Sequence, residues 1–119
     1  DMLEFLRAQK KAGKLVVGFG AAAKGNTLLN YCGVDNSLVN FIVDETPEKQ
    51  GLYYAGTGIP IVGIGEIAKR KPDFIIIFPW NFAREIMRKA EGITEFKAKA
   101  GRYVIPIPQV RTISGEAEL

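Results

Sequence analysis

The chain has 119 residues, 47% hydrophobic and 24% charged, proportions that suit one globular domain with a real core and exclude disordered, collagen-like and disulfide-scaffold chains. Its net charge of +3 is too small for a nucleic-acid surface, and the cations are dispersed from Arg7 to Arg111 among acids. A single cysteine, Cys32, excludes an internal disulfide and a cysteine-built zinc site, and the lack of histidine excludes a Ser-His-Asp triad, a Cys-His dyad or a histidine metal site made by this chain alone.

The N-terminal stretch Asp1 to Ala12 reads as a short helix, with Met2, Leu3 and Leu6 on one face and Gly13 as its stop. Leu15-Val16-Val17 is a short buried strand that runs into Gly18-Phe19-Gly20-Ala21-Ala22-Ala23-Lys24-Gly25. Asn26 to Tyr31 then reads as helical, ending near Gly33. A second strand, Asn40 to Asp44, ends in an acid. The long loop Glu45 to Gly58 follows, longer than a plain connector and able to serve as a lid or cleft wall, or as a solvated excursion.

Ile59-Pro60-Ile61-Val62 reads as a strand whose proline suits a sheet edge. A short helix around Ile64, Ile67 and Ala68 is ended by Pro72. The unbroken apolar run Asp73 to Phe78 predicts a strand buried on both faces. Asn81 is placed to cap the next helix, whose core face is Phe82, Ala83, Ile86, Met87 and Ala90, with Glu85 and Lys89 as a surface pair. Arg102 to Pro106 is the last strand, and residues 109–119 lack periodicity and read as loose.

The longest apolar run, Phe74 to Trp80, is far below the roughly 18 residues of a membrane span. No signal peptide is visible, and the lone cysteine fits a reducing compartment, so a cytoplasmic protein without membrane or nucleic-acid partners is expected. A chain that opens at Asp1 without an initiator Met reads as a domain excised from something longer. Strands alternating with helices make an α/β fold, a small Rossmann-like three-layer sandwich with a mostly parallel sheet, in one domain with its core at about 13–108. Ligands of such sheets sit beyond the carboxyl ends of the strands, which places residues 18–25, Asp44 with its loop, and residues 79–81 along one rim.

Residues 18–23 fit the pattern G-x-G-x-x-A. Glycine permits the tight turn and the close approach of a phosphate, a small third residue lets helix pack on strand, and the helix start offers unpaired N–H groups. Lys24 adds a cation there, and Asp44 stands where an acid would bind a ribose hydroxyl. The same glycines also serve plain strand–helix packing, and both readings stay open. Trp80 can stack on a base or sugar, or close the core. The expected binding residues are Gly20, Ala21, Lys24, Asn26, Asp44, Trp80 and Asn81; no catalytic residue and no metal ligand is assigned. One reading of this set is a stand-alone NAD(H)- or nucleotide-binding regulatory module.

The ordered blocks Gly20 to Tyr31, Val43 to Gly51, Gly58 to Val62, Pro79-Trp80-Asn81 with Glu85-Ile86, and Ile105 to Pro108 give a second, more specific reading. Together they resemble the C-terminal domain of the family of sugar C-methyltransferases that use S-adenosylmethionine. That resemblance implies a Rossmann-like domain that helps bind a nucleotide-linked sugar, joined to upstream zinc-binding and methyl-donor domains of the same polypeptide. It also implies that S-adenosylmethionine is used by the full-length enzyme but is not bound by this domain, and that the isolated domain is inactive.

Overall fold

The computed structural model describes residues 2–21, 23–106 and 110–119; of Ala23, Lys24 and Trp80 it describes the backbone. The chain opens with helix α1 (Met2–Lys11), strand β1 (Val16–Phe19) and helix α2 (Ala23–Cys32). Strands β2 (Ile42–Val43), β3 (Tyr53–Tyr54) and β4 (Ile59–Val62) follow, then helix α3 (Gly65–Arg70) and strand β5 (Phe74–Ile77). A 3-10 turn at Trp80–Phe82 leads into α4 (Ala83–Glu91), α5 (Thr94–Ala98), β6 (Arg102–Ile105) and β7 (Arg111–Ile113).

The strands form one sheet in the order β3-β4-β2-β1-β5-β6-β7. Its five inner strands are parallel, with Val16 to Phe19 of β1 in register with Phe74 to Ile77 of β5 on one side and Gly18 and Phe19 with Ile42 and Val43 on the other. The outermost pairs are antiparallel. The chain leaves β1 for β2 on one side and returns to β5 on the other, so the strand order reverses at the carboxyl end of β1. That is the switch point at which open α/β sheets bind ligands.

Alternation along the strands divides the core in two, because successive side chains leave opposite faces. Val16 and Ile76 face the layer of α1 and α2 with Leu6 and Leu29. Val17, Phe19, Ile75 and Ile77 face α3, α4 and α5 with Ile67, Met87 and Phe96. The three isoleucines of β5 are fully buried, each contributing about 2 kcal/mol by burial. This is why the uninterrupted apolar run marks the centre of the sheet rather than an edge. Gly13 ends α1 as expected, in a left-handed turn in which the Lys14 N–H reaches the Gln9 carbonyl at 2.9 Å.

Several expectations are corrected. Pro60 does not lie on an edge, because β3 covers β4: the Ile61 N–H bonds the Leu52 carbonyl at 2.8 Å and the Gly51 N–H bonds that of Ile61 at 2.9 Å. Both bonds use Ile61, so the missing proline N–H leaves this pairing intact. Asn81 is not a helix cap. The Phe82 N–H closes a turn on the Pro79 carbonyl at 2.8 Å, the helix starts one residue later, and Phe82 stands at its N-cap without a side-chain bond. Phe82 thereby leaves the core face and is 53% exposed. Residues 111–113, expected to be loose, add β7 to the sheet and bury Ile113 beside Tyr103.

Candidate functional site

The first component is the turn after β1. Gly20 has φ +92°, a conformation that other residues adopt only with strain, and a Cβ there would lie 2.6 Å from Pro79 Cδ. The Gly20 N–H is bonded to the Val43 carbonyl at 2.7 Å, so the end of β1 is pinned between β2 and the segment after β5. The flanking glycines answer to Phe78. A Cβ on Gly18 would meet its ring at 2.7 Å, and one on Gly25 would meet it at 2.6 Å. The phenyl group lies between strand and helix where two side chains are missing. Among the described residues, the glycine pattern therefore serves close packing.

Asp44, at the end of β2, folds its carboxylate back onto this turn. Oδ2 accepts the Ala21 N–H at 2.8 Å and Oδ1 accepts the Thr46 N–H at 2.8 Å. Burial raises the Asp44 pKa, but hydrogen bonds from Thr46 and Ala21 and the charge of Lys49 outweigh it and hold the carboxyl below its ordinary range. Lys49 Nζ reaches back from the loop to the Ala21 carbonyl at 3.1 Å and lies 3.9 Å from Asp44 Oδ2. The Gln50 side chain closes the same loop by donating to the Asp44 carbonyl at 2.9 Å. Glu45 pairs with Lys89 of α4, so Lys89 serves this loop rather than pairing with Glu85.

The structure thus brings Gly20, Ala21 and Asp44 together. Asn26 faces elsewhere: it and Asn30 fasten the β3–β4 turn. The Asn30 side-chain amide donates to the Asn26 carbonyl at 2.9 Å, to Asn26 Oδ1 at 3.2 Å and to the Ala55 carbonyl at 2.8 Å. Tyr54 lies against the same helix, with a backbone hydrogen bond at Asn26. The side chains of Lys24 and Trp80, both expected at the site, lie outside the described residues.

Asn81 lines a second component, a groove of about 500 Å³ at the carboxyl end of the sheet, walled by α4 and β7. Phe82, Arg84, Arg88 and Arg111 line it with Asn81, and Glu85 supplies an acid. Glu116, from a 3-10 turn at Glu116–Glu118, spans the two walls. Its carboxylate receives Arg88 Nε at 3.3 Å and Nη2 at 3.2 Å, and lies 3.6 Å from Arg84 Nη1. Sequence reasoning missed this groove and Lys49. The four-residue spacing of Arg84 and Arg88 was a signal for one wall; Arg111 reaches it only because residues 111–113 form a strand.

Three comparisons bear on what carries this geometry. A family model described as the C-methyltransferase C-terminal domain matches residues 1–108. The chain belongs to that family. It is 38% identical over 116 residues to the C-methyltransferase NovU of Streptomyces niveus, covering 98% of this chain and 27% of that protein. The C-methyltransferase domain therefore spans about a quarter of the length of the curated relative it matches. The solved structure of RSP, a Rex-family repressor, is similar with a TM-score of 0.51 at 21% identity, covering 85% of this chain and 51% of that one. This second likeness supports the Rossmann-like fold alone.

In this C-methyltransferase domain, no group of three or more His, Cys, Asp or Glu among the described residues could hold a metal ion. No helix among them is long and apolar enough to cross a membrane. At the glycine turn Pro79 lies against Gly20, and the Asp44 carboxylate accepts two backbone N–H groups.

Proposed function

We propose that this domain is the nucleotide-sugar-binding part of a C-methyltransferase and holds the sugar nucleotide while the rest of the polypeptide transfers the methyl group. One observation carries the reading: in a chain of this family, the switch point at the end of β1 and the groove lined by Asn81 share one carboxyl rim. Ligands of open α/β sheets lie along that rim. In the complete enzyme, a base removes a proton beside a sugar ketone and the resulting carbanion attacks the methyl sulfonium. The contribution of this domain is positioning, which lowers the barrier by fixing the reacting atoms in register.

Within this reading, the turn at Gly20 and Ala21 with Lys24 and Asp44, and the segment Trp80-Asn81, form the binding rim, while Asn26 is engaged with Asn30. The methyl donor binds upstream, and this domain on its own is inactive. The upstream zinc-binding and methyl-donor domains are its partners, in the cytoplasm. The alternative is an NAD(H) module that would use the Asp44 carboxylate for ribose; that carboxylate also accepts two backbone N–H groups.

Calorimetric titration tests the proposal. A thymidine diphosphate-linked deoxysugar should bind saturably and the same sugar without its nucleotide should not, and Lys24→Ala should weaken binding. Equal responses to the linked and unlinked sugars would overturn it.

A further inference from the structure

The segment between β2 and β3 is folded but buries nothing. Residues 45–52 are all exposed, Leu52 included. Their two ends are fixed on neighbouring residues of β4. The Asp44 N–H bonds the Val62 carbonyl at 3.0 Å, and the Gly51 N–H bonds the Ile61 carbonyl at 2.9 Å. Gly51, at φ +90°, supplies the sharp turn at the second end. The stretch between is a compact surface loop with its ends together.

Its shape is set from within. The Thr46 N–H bonds Asp44 Oδ1 at 2.8 Å, the Lys49 N–H bonds the Thr46 carbonyl at 3.0 Å, and the Gln50 N–H bonds the Pro47 carbonyl at 3.3 Å. Two side-chain contacts tie this preformed loop to the rest of the domain. Lys49 Nζ donates to the Ala21 carbonyl at 3.1 Å, in the turn after β1, and Glu45 pairs with Lys89 of α4. The side chains of Lys49, Glu45 and Lys89 are all close to half exposed. Contacts of that kind hold weakly, because water competes for both partners. A segment with no buried apolar side chain and weak outer ties is the kind that opens locally while the core stays folded.

We propose that residues 45–52 form a strap that opens and closes as one unit beside the turn after β1, hinged on β4 and latched at Ala21 by Lys49 and at Lys89 by Glu45. Opening withdraws Lys49 from the Ala21 carbonyl and from the Asp44 carboxylate and clears the approach to the end of β1. A molecule bound at that end holds the strap shut. This rests on the reading of the carboxyl rim as the binding face and adds the movement that governs access to it.

The test is amide hydrogen exchange followed by NMR. In the protein without ligand, the Thr46, Lys49 and Gln50 amides should share one opening constant, and the Asp44 and Gly51 amides, bonded to β4, should exchange more slowly. Lys89→Gln and Lys49→Gln should each speed the three strap amides by a common factor of about threefold, the size expected of a half-exposed contact. Neither should move the Asp44 and Gly51 amides or the urea midpoint, as general destabilisation would. The charge-exchanged double variant Glu45→Lys, Lys89→Glu should return the strap to its original rate. Unequal acceleration of the three amides, or none in Lys89→Gln, overturns the strap. Saturation with a thymidine diphosphate-linked deoxysugar should slow the same three amides. Saturable calorimetric binding that leaves their exchange unchanged overturns the gating role while the nucleotide-sugar reading stands. Absence of saturable binding overturns that reading, and the exchange rates without ligand then decide the strap on their own.

Discussion

The carboxylate of Asp44 and the backbone N–H of Ala21 meet at 2.8 Å, so the acid at the end of β2 holds the turn at the end of β1. With the Thr46 N–H on its other oxygen, Asp44 satisfies two backbone donors from two segments. Asp44→Ala leaves both without that acceptor and should cost about 2 kcal/mol in urea unfolding. The pH dependence has a definite sign. The folded-state pKa lies below the ordinary value of 3.8. The Asp44 contribution is therefore complete above that value and is lost as pH falls through the lower, folded-state one. Asp44→Asn should remove that acid-side loss, checked by melting curves between about pH 5 and pH 2.

Gly25 and Phe78 make a second prediction. A methyl group on Gly25 would lie 2.6 Å from the ring, which cannot retreat without disturbing the buried surface under α2. Gly25→Ala should destabilise the protein by about 1–3 kcal/mol. Phe78→Leu vacates part of that space, so the double variant should be less destabilised than the sum of the singles. A double-mutant cycle measured in urea reads this directly, and strict additivity would refute the packing role given to the glycine.

Tyr54 predicts an alkaline transition. Burial, assisted by the negative charge of Asp44 and opposed by the Asn26 backbone bond, pushes its phenol up to about 12 from an ordinary 10.0. A group whose folded pKa is raised supports the fold fully below its unfolded value and loses that support as pH rises through the folded one. Stability should therefore fall between about pH 10 and pH 12. One slow tyrosine in the tyrosinate absorbance titration should disappear in Tyr54→Phe.

Ala100 carries the strain of a left-handed backbone with φ 56°, in the turn between α5 and β6. Ala100→Gly relieves that strain at the cost of a looser unfolded chain, for a net gain of about 0.5–1 kcal/mol. A higher melting temperature with an unchanged urea m-value checks it.

The parts of this fold legible in the sequence are those with long, consistent patterns. The run Phe74 to Ile77 announced a central strand because no polar side chain can face a layer of helices on either side. Ala83, Ile86, Met87 and Ala90 announced α4 by their spacing. What escaped is short: β3 has two residues, β7 three and α5 five, too few for either period to show. Phe82 was misplaced by one turn type, since a 3-10 turn after Pro79 rotates it out of the face that a continuous helix would give it. At the site, Asp44 was legible as an acid at a strand tip, but its bond to Ala21 was not, because it depends on how the loop of Lys49 folds back. The arginine groove needed residues from opposite sides of β6, and no local pattern links Arg88 to Arg111.

Both borders of the sheet end in very short antiparallel strands, Tyr53–Tyr54 on one side and Arg111–Ile113 on the other. A lateral neighbour would find only two or three residues of backbone to zip onto, too few for a lasting extension of the ladder. A segment packing against this domain therefore finds more to hold on the helical flanks or over the strand tips than along either border.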